Sequence, residues 1–156
     1  MNRRRVVCSL AVLLAVIVVF LCQMKWKKDV LLSERYPILA KRSLSIQVML
    51  WPEGAGMVTV SDEKFQHILM EARVTKRAKT QIASDEGLLI HLFDDETQTT
   101  YSVEVGKDRS ISVARTDDLR GTRTFWTDCT GDLFSRLYVC YRGQEDKEDT
   151  ETVLPF

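Results

Sequence analysis

Apolar residues follow three different patterns along this chain. The first is unbroken. From Val6 to Cys22, VVCSLAVLLAVIVVFLC, there is no charge, glycine or proline, and Ser9 is the single polar side chain. Seventeen such residues reach about 25 Å as a helix, and Gln23 and Met24 extend this towards bilayer thickness. A segment apolar on every face suits lipid better than the half-buried position of a surface helix. The pattern predicts a transmembrane helix over residues 6–24, with a lipid bilayer as its partner. Trp26 falls at the interface, and Lys25, Lys27 and Lys28 can reach the headgroups.

The second pattern has a period of two. Leu44, Ile46, Val48 and Leu50 alternate with Ser45, Gln47, Met49 and Trp51, as in a strand with one buried face. Pro52-Glu-Gly-Ala-Gly56 reads as a turn, and Met57 to Val60 as the returning strand of a hairpin. Three more strands are expected at Leu88–Phe93, Thr99–Val105 and Ser110–Arg115. Their short polar connections predict an antiparallel meander. Thr122 to Thr127 is a further strand candidate.

The third pattern is helical. Phe65, Ile68, Leu69 and Ala72 form a stripe behind a start signal in which Ser61 can cap and Asp62 and Glu63 occupy the first turn. Lys76, Arg77 and Lys79 then read as the basic end of the same helix. A second helix is expected over Leu133–Tyr141, with Leu133, Leu137, Cys140 and Tyr141 on one stripe. The predicted fold class is therefore α+β. The transmembrane helix is followed by an antiparallel sheet of about five strands with two helices on one face, in the order ββα-βββ-α.

The expected organisation is a basic flank at 1–5, the span at 6–24, a juxtamembrane stalk at 25–42, an α+β domain at 43–143 and an acidic disordered tail at 144–156. Pro37 ends any helical continuation of the stalk by holding Tyr36 extended. The tail carries five acids, one lysine and no periodicity.

Charge sharpens this picture. The formal net charge is zero, but residues 1–42 hold nine Lys and Arg against two acids, and the remainder holds thirteen against twenty. A basic end beside an apolar run suits a membrane surface. Nucleic-acid binding would need the cations clustered on the folded domain, so no nucleic-acid partner is expected. Arg3, Arg4 and Arg5 favour an N-terminus inside and a domain outside the cell membrane, although the lysines after the span reduce that bias. A cleaved signal peptide is disfavoured because no small-residue site ends the run. A lipoprotein is disfavoured because Leu21 precedes Cys22 and Val7 precedes Cys8.

Candidate chemistry is sparse. Asp94, Asp95 and Glu96 lack the spacing and glycine of a calcium loop and read as a solvated hairpin tip. His67 and His91 have no Cys, Asp or Glu at zinc-type spacing. Cys129, beside Asp128, is the best-placed thiol, yet it has no evident base. If Leu133–Tyr141 is helical, Cys129 and Cys140 lie well over 10 Å apart, beyond disulfide reach. No catalytic residue, metal site or cofactor is expected. Trp51, Trp126 and Phe125 are the expected contact residues, because exposed aromatics serve interfaces.

The order of basic N-terminus, single span, strand pair, Val60-Ser-Asp-Glu-Lys64 helix start and meander carrying Tyr101 resembles small membrane-anchored or lipoprotein domains of Gram-positive bacteria. Those domains are uncharacterised in function. The likeness covers about residues 44–115, carries no specific motif, and lacks the lipobox some of them have. It implies a bacterial, extracytoplasmic setting and transfers no active site. The expected function is a membrane-anchored, non-enzymatic interaction domain binding an envelope or membrane protein. The alternative is a small-ligand or ion sensor signalling through the span.

Overall fold

A computed structural model describes residues 12–19, 29–52, 56–77, 84–116 and 122–151. The first described stretch, α1 (residues 12–19), is helical and apolar, with side chains such as Val12 and Leu14 more than half exposed. The basic flank 1–5 and both ends of the expected span lie outside the described residues. Among the described residues no helix is long and apolar enough to cross a membrane.

The rest forms an α+β fold around one antiparallel sheet. Its elements are β1 (Val30–Leu31), α2 (Leu32–Arg35), a 3-10 turn (Pro37–Ala40), β2 (Leu44–Trp51), β3 (Val58–Thr59), α3 (Glu63–Glu71), β4 (Arg73–Lys76), β5 (Gly87–Asp94), β6 (Thr99–Gly106), β7 (Ser110–Arg115), β8 (Arg123–Asp128) and α4 (Leu133–Glu151). The strand order is β1-β4-β8-β7-β6-β5-β2-β3. The hairpin and the meander stand where the alternation places them.

The sheet has eight strands rather than about five. β8 lies on the candidate segment at 122–127, and β1 and β4 are the unexpected additions. β4 occupies the stretch expected to finish the first helix. Asp62, not Ser61, caps α3, its carboxylate accepting from Lys64 N at 2.9 Å. The helix stops at Glu71 because Ala72 turns extended (φ −58°, ψ 121°), and Val74, with no exposed surface, pairs with Asp128 and Val30. Burial of β-branched Val74 between two strands outweighs the end-of-helix logic of the charges that follow.

The segment expected as a stalk is largely domain. Leu32 and Leu39 are buried, Leu32 N donates to Ala72 O at 2.8 Å, and Gln66 Nε2 on α3 donates to the carbonyls of Leu39 and Lys41. The apolar residues of this stretch close the edge of the core. At the other end, α4 continues through part of the expected disordered tail to Glu151, and residues 152–156 lie outside the described part.

One face of the sheet carries the core. Cross-strand register aligns Val48, Ile90, Val103 and Val113, and beside them Leu50, Leu88, Val105, Ile111 and Trp126. Phe65, Ile68 and Leu69 of α3 and Leu133, Leu137 and Tyr141 of α4 are buried in the same cluster. Asp128, itself buried, ties sheet to helix. Its carboxylate accepts from Leu133 N at 3.1 Å, Thr130 N at 3.0 Å and Thr130 Oγ1 at 2.8 Å. One of the four unpaired N–H groups at the start of α4 is thereby satisfied.

Candidate binding face

The residues between the core positions point to the opposite face. Register lines them up in rows across the sheet. One row runs Met49, Leu89, Glu104, Ser112, Phe125, and its neighbour runs Gln47, His91, Ser102, Ala114, Arg123. A third pairs Trp51 with Gly87 and Gly87 with Gly106. Among the described residues no helix packs on this side.

The glycine pair shapes the surface. A Cβ on Gly87 would stand 2.9 Å from Val105 O and 3.4 Å from Gly106 Cα, so the position admits no side chain without backbone movement. At Gly106 the corresponding space is taken by the side chains of Asp108, Ser110 and Ser84, and both glycines line a depression of about 440 Å³. Trp51 walls it on one side, Leu89 and Glu104 line it, and Arg123 reaches its rim. Trp51 remains 46% exposed although it follows three buried core positions in β2.

The polar rim is internally balanced. Arg123 Nη1 donates to both oxygens of Glu104 at 2.9 and 2.8 Å, and Ser112 Oγ donates to Glu104 Oε2 at 2.9 Å. Lys107 pairs with Glu86 at 2.6 Å, and this hydrogen bond raises the Lys107 pKa above its ordinary value. Both pairs are substantially exposed, so each contributes little to stability; their effect is to hold side-chain directions around the depression.

The three expected contact aromatics separate. Trp51 is exposed at the depression. Phe125 lies on the same face, half-buried in the Met49 row. Trp126 lies on the core face at 4% exposure, its Nε1–H donating to Tyr36 Oη at 3.1 Å and its ring edge-on to Tyr36. Adjacent strand residues point to opposite faces, so Phe125 and Trp126 cannot share a surface. The sequence reading missed Leu89, Glu104, Arg123 and the glycine pair. Each looks ordinary within its own strand, and only cross-strand register gathers them.

The remaining candidates are dispersed. Cys129 Sγ lies 3.0 Å from Thr75 Oγ1, and burial pushes its thiol pKa upward. His91 sits on β5, three strand spacings or roughly 14 Å from β8. His67 is exposed on α3, 3.4 Å from Glu71. Cys140 faces the α3–α4 groove, and burial likewise raises its thiol pKa; both cysteines are free thiols. Among the described residues no three His, Cys, Asp or Glu side chains converge as a metal site.

Asp94 is not part of a solvated hairpin tip. It is 1% exposed and accepts from Lys41 Nζ at 2.5 Å, from Thr97 Oγ1 and from Glu96 N. The Lys41 hydrogen bond, helped by Thr97, holds the Asp94 carboxyl below its usual range against the opposing effect of burial.

No protein-family model, characterised protein or solved structure matches this chain.

Proposed function

We propose that this chain is a membrane-anchored, extracytoplasmic, non-enzymatic interaction domain that captures an apolar segment of an envelope protein on the open face of its sheet. The observation that carries the reading is Trp51, half out of water beside a glycine-floored depression, with Met49 and Leu89 in the next row. A large aromatic next to unoccupied apolar surface is the commonest energetic centre of a protein interface. The paired charges around it suit a rim that excludes water without repelling an apolar side chain. The anchor rests on the unbroken apolar run from Val6 to Cys22, of which residues 12–19 are helical.

The test is crosslinked capture of the full-length protein from its own membranes, with the partner identified by mass spectrometry. Trp51→Ala and Leu89→Ala are expected to lose that partner while retaining native circular dichroism. Val139→Ala, on the helical side, is expected to keep it. Equal capture by all three variants refutes the proposal.

A second reading, a small-ligand sensor signalling through the span, is favoured by the size of the depression. About 440 Å³ lies within the ~300–1,000 Å³ range of small-molecule sites. A ligand-dependent rise in melting temperature that Trp51→Ala abolishes would select it.

A further inference from the structure

Two helices cross the core face of the sheet in opposite directions. α3 begins just after β3, at the β2 edge, and ends at Ala72 beside Leu32 and β4. α4 begins beside β4, where Cys129 N donates to Arg73 O, and runs back across β6 and β5. Between these antiparallel helices lies a groove of about 740 Å³ whose apolar lining is Ile68, Cys140 and Val139. Ile68 and Cys140 are buried. Val139 is 68% exposed, more than any other described large apolar side chain.

Each wall adds a cation to this lining. Lys64 stands one turn before Ile68 on α3, and Arg136 one turn before Cys140 on α4, about 6 Å along each axis. Because the helices are antiparallel, the two cations mark opposite ends of the groove on opposite walls. Burial, helped by Asp62, pushes the Cys140 thiol pKa up, and both Lys64 and Arg136 oppose it, so their charges converge on the apolar lining. Neither cation forms an ion pair with another described residue. Glu63 also lines the groove, but as the first residue of α3 it is engaged by the helix dipole. Beyond residue 42 the chain holds twenty acids against thirteen Lys and Arg, so two uncommitted cations on one apolar groove stand out.

Shape and backbone chemistry narrow the occupant. Small-molecule sites enclose most of their ligand, whereas a groove lined by a side chain as exposed as Val139 is open along its length. An extended peptide would need main-chain partners, and helical walls spend theirs internally. A helix brings its own backbone bonds and needs only side-chain contacts.

We propose that the α3–α4 groove docks a helix of a protein partner that presents an apolar stripe with acidic residues on both flanks. Each acid lies one turn from an apolar anchor, matching Lys64 with Ile68 and Arg136 with Cys140. The apolar stripe covers Val139, and the flanking charges set orientation, as they do beside the seam of a coiled coil. This site lies on the opposite side of the sheet from Trp51 and is independent of the proposed binding face.

The experiment uses full-length protein dispersed in a nonionic maltoside detergent, which favours neither sign of charge. The probe is a lactam-stapled synthetic helix of about 15 residues, long enough to stay helical, with a leucine stripe, flanking glutamates and one photoreactive leucine analogue in the stripe. Its twin carries lysines in place of the glutamates. After illumination, peptide mass spectrometry maps the labelled residues. The glutamate probe is expected to label Glu63–Glu71 and residues 133–142 several-fold more than its twin, by a margin that shrinks in added salt. Lys64→Glu/Arg136→Glu should reverse that preference; both substitutions place acids in the first turn of a helix, where the dipole favours them. Lys64→Gln/Arg136→Gln should level it, and serves as the comparison should the charge-reversed protein lose its native circular dichroism. Val139→Asp should reduce labelling by both probes, and Trp51→Ala should leave it unchanged. No labelling of the groove, equal labelling by the two probes, or a preference that the charge variants keep overturns the proposal. Labelling centred on Trp51 overturns it too, while leaving the proposed binding face standing.

Discussion

Replacing Trp126 and Trp51 by alanine in turn perturbs the two faces of one sheet, and the structure sets different magnitudes for each. Trp126 is 4% exposed, packs edge-on to Tyr36 at 6.2 Å between ring centroids, and donates its indole N–H to Tyr36 Oη. Truncating a buried tryptophan costs about 3–5 kcal/mol, from lost transfer energy and the cavity left behind. That is a large share of the ~5–15 kcal/mol by which domains of this size are stable. Trp51 is only about half buried, so some 100 Å² of its surface is out of water, which gives at most about 2.5 kcal/mol. The assay is urea denaturation of residues 29–156, followed by circular dichroism. That fragment holds every buried core residue among the described residues, from Leu32 to Tyr141. With a slope of about 2 kcal/mol per molar, Trp126→Ala should lower the midpoint by roughly 2 M and Trp51→Ala by no more than about 1.2 M. If Trp51→Ala destabilises as much as Trp126→Ala, Trp51 is a core residue, and the binding-face argument fails.

Three further outcomes follow from individual side chains. Asp128→Ala strands the buried Leu133 N–H and frees the start of α4, so it should cost about 1–3 kcal/mol in the same assay; a change below ~0.5 kcal/mol would mean that the carboxylate is dispensable. The Lys41–Asp94 pair should make stability depend on acid. The Asp94 pKa is depressed on folding, so its contribution is present above the unfolded carboxylate pKa and lost as pH falls through the lower folded value. Wild type should therefore lose its advantage over Lys41→Met as pH is lowered towards that range, and a constant difference in melting temperature would contradict this. In residues 29–156, Cys129 and Cys140 should alkylate no faster at neutral pH than a free cysteine, since burial raises both thiol pKa values. A rapidly labelled Cys129 would reopen the question of a nucleophile.

The elements with strong periodicity were legible in the sequence. Alternation in Leu44–Trp51 and in the meander gave the centre of the sheet, and the Phe65–Ile68–Leu69 and Leu133–Leu137–Tyr141 stripes gave the helices that cover it. Short elements were not legible. β1 has two residues, too few to show a period, and its existence depends on pairing with β4. β4 was hidden because Lys76 and Arg77 satisfy the end rule of a helix equally well. The fate of 29–42 turned on Leu32 and Leu39, whose burial comes from neighbours distant in sequence. Asp94 looks solvated in the sequence because its partner Lys41 is fifty-three positions away.

The candidate site shows the same division. Exposure of Trp51 followed from counting alternate positions along one strand. The depression beside it did not, because it needs Gly87 of β5 and Gly106 of β6 in register. Along β8 the same alternation separates Phe125 from Trp126, and cross-strand register places Phe125 with Trp51 and Trp126 in the core. Nothing in the sequence said which member of that adjacent pair faced outward until the direction of β8 relative to β7 was known.

The account depends most on the run from Val6 to Cys22 residing in hydrocarbon. The direct measurement is flotation of full-length protein with lipid vesicles after alkaline carbonate washing, with intact mass confirming that the segment is present. Retention in the floating lipid fraction, released only by detergent, is the predicted result. Uncleaved protein left behind in the aqueous fraction as a monomer would contradict it.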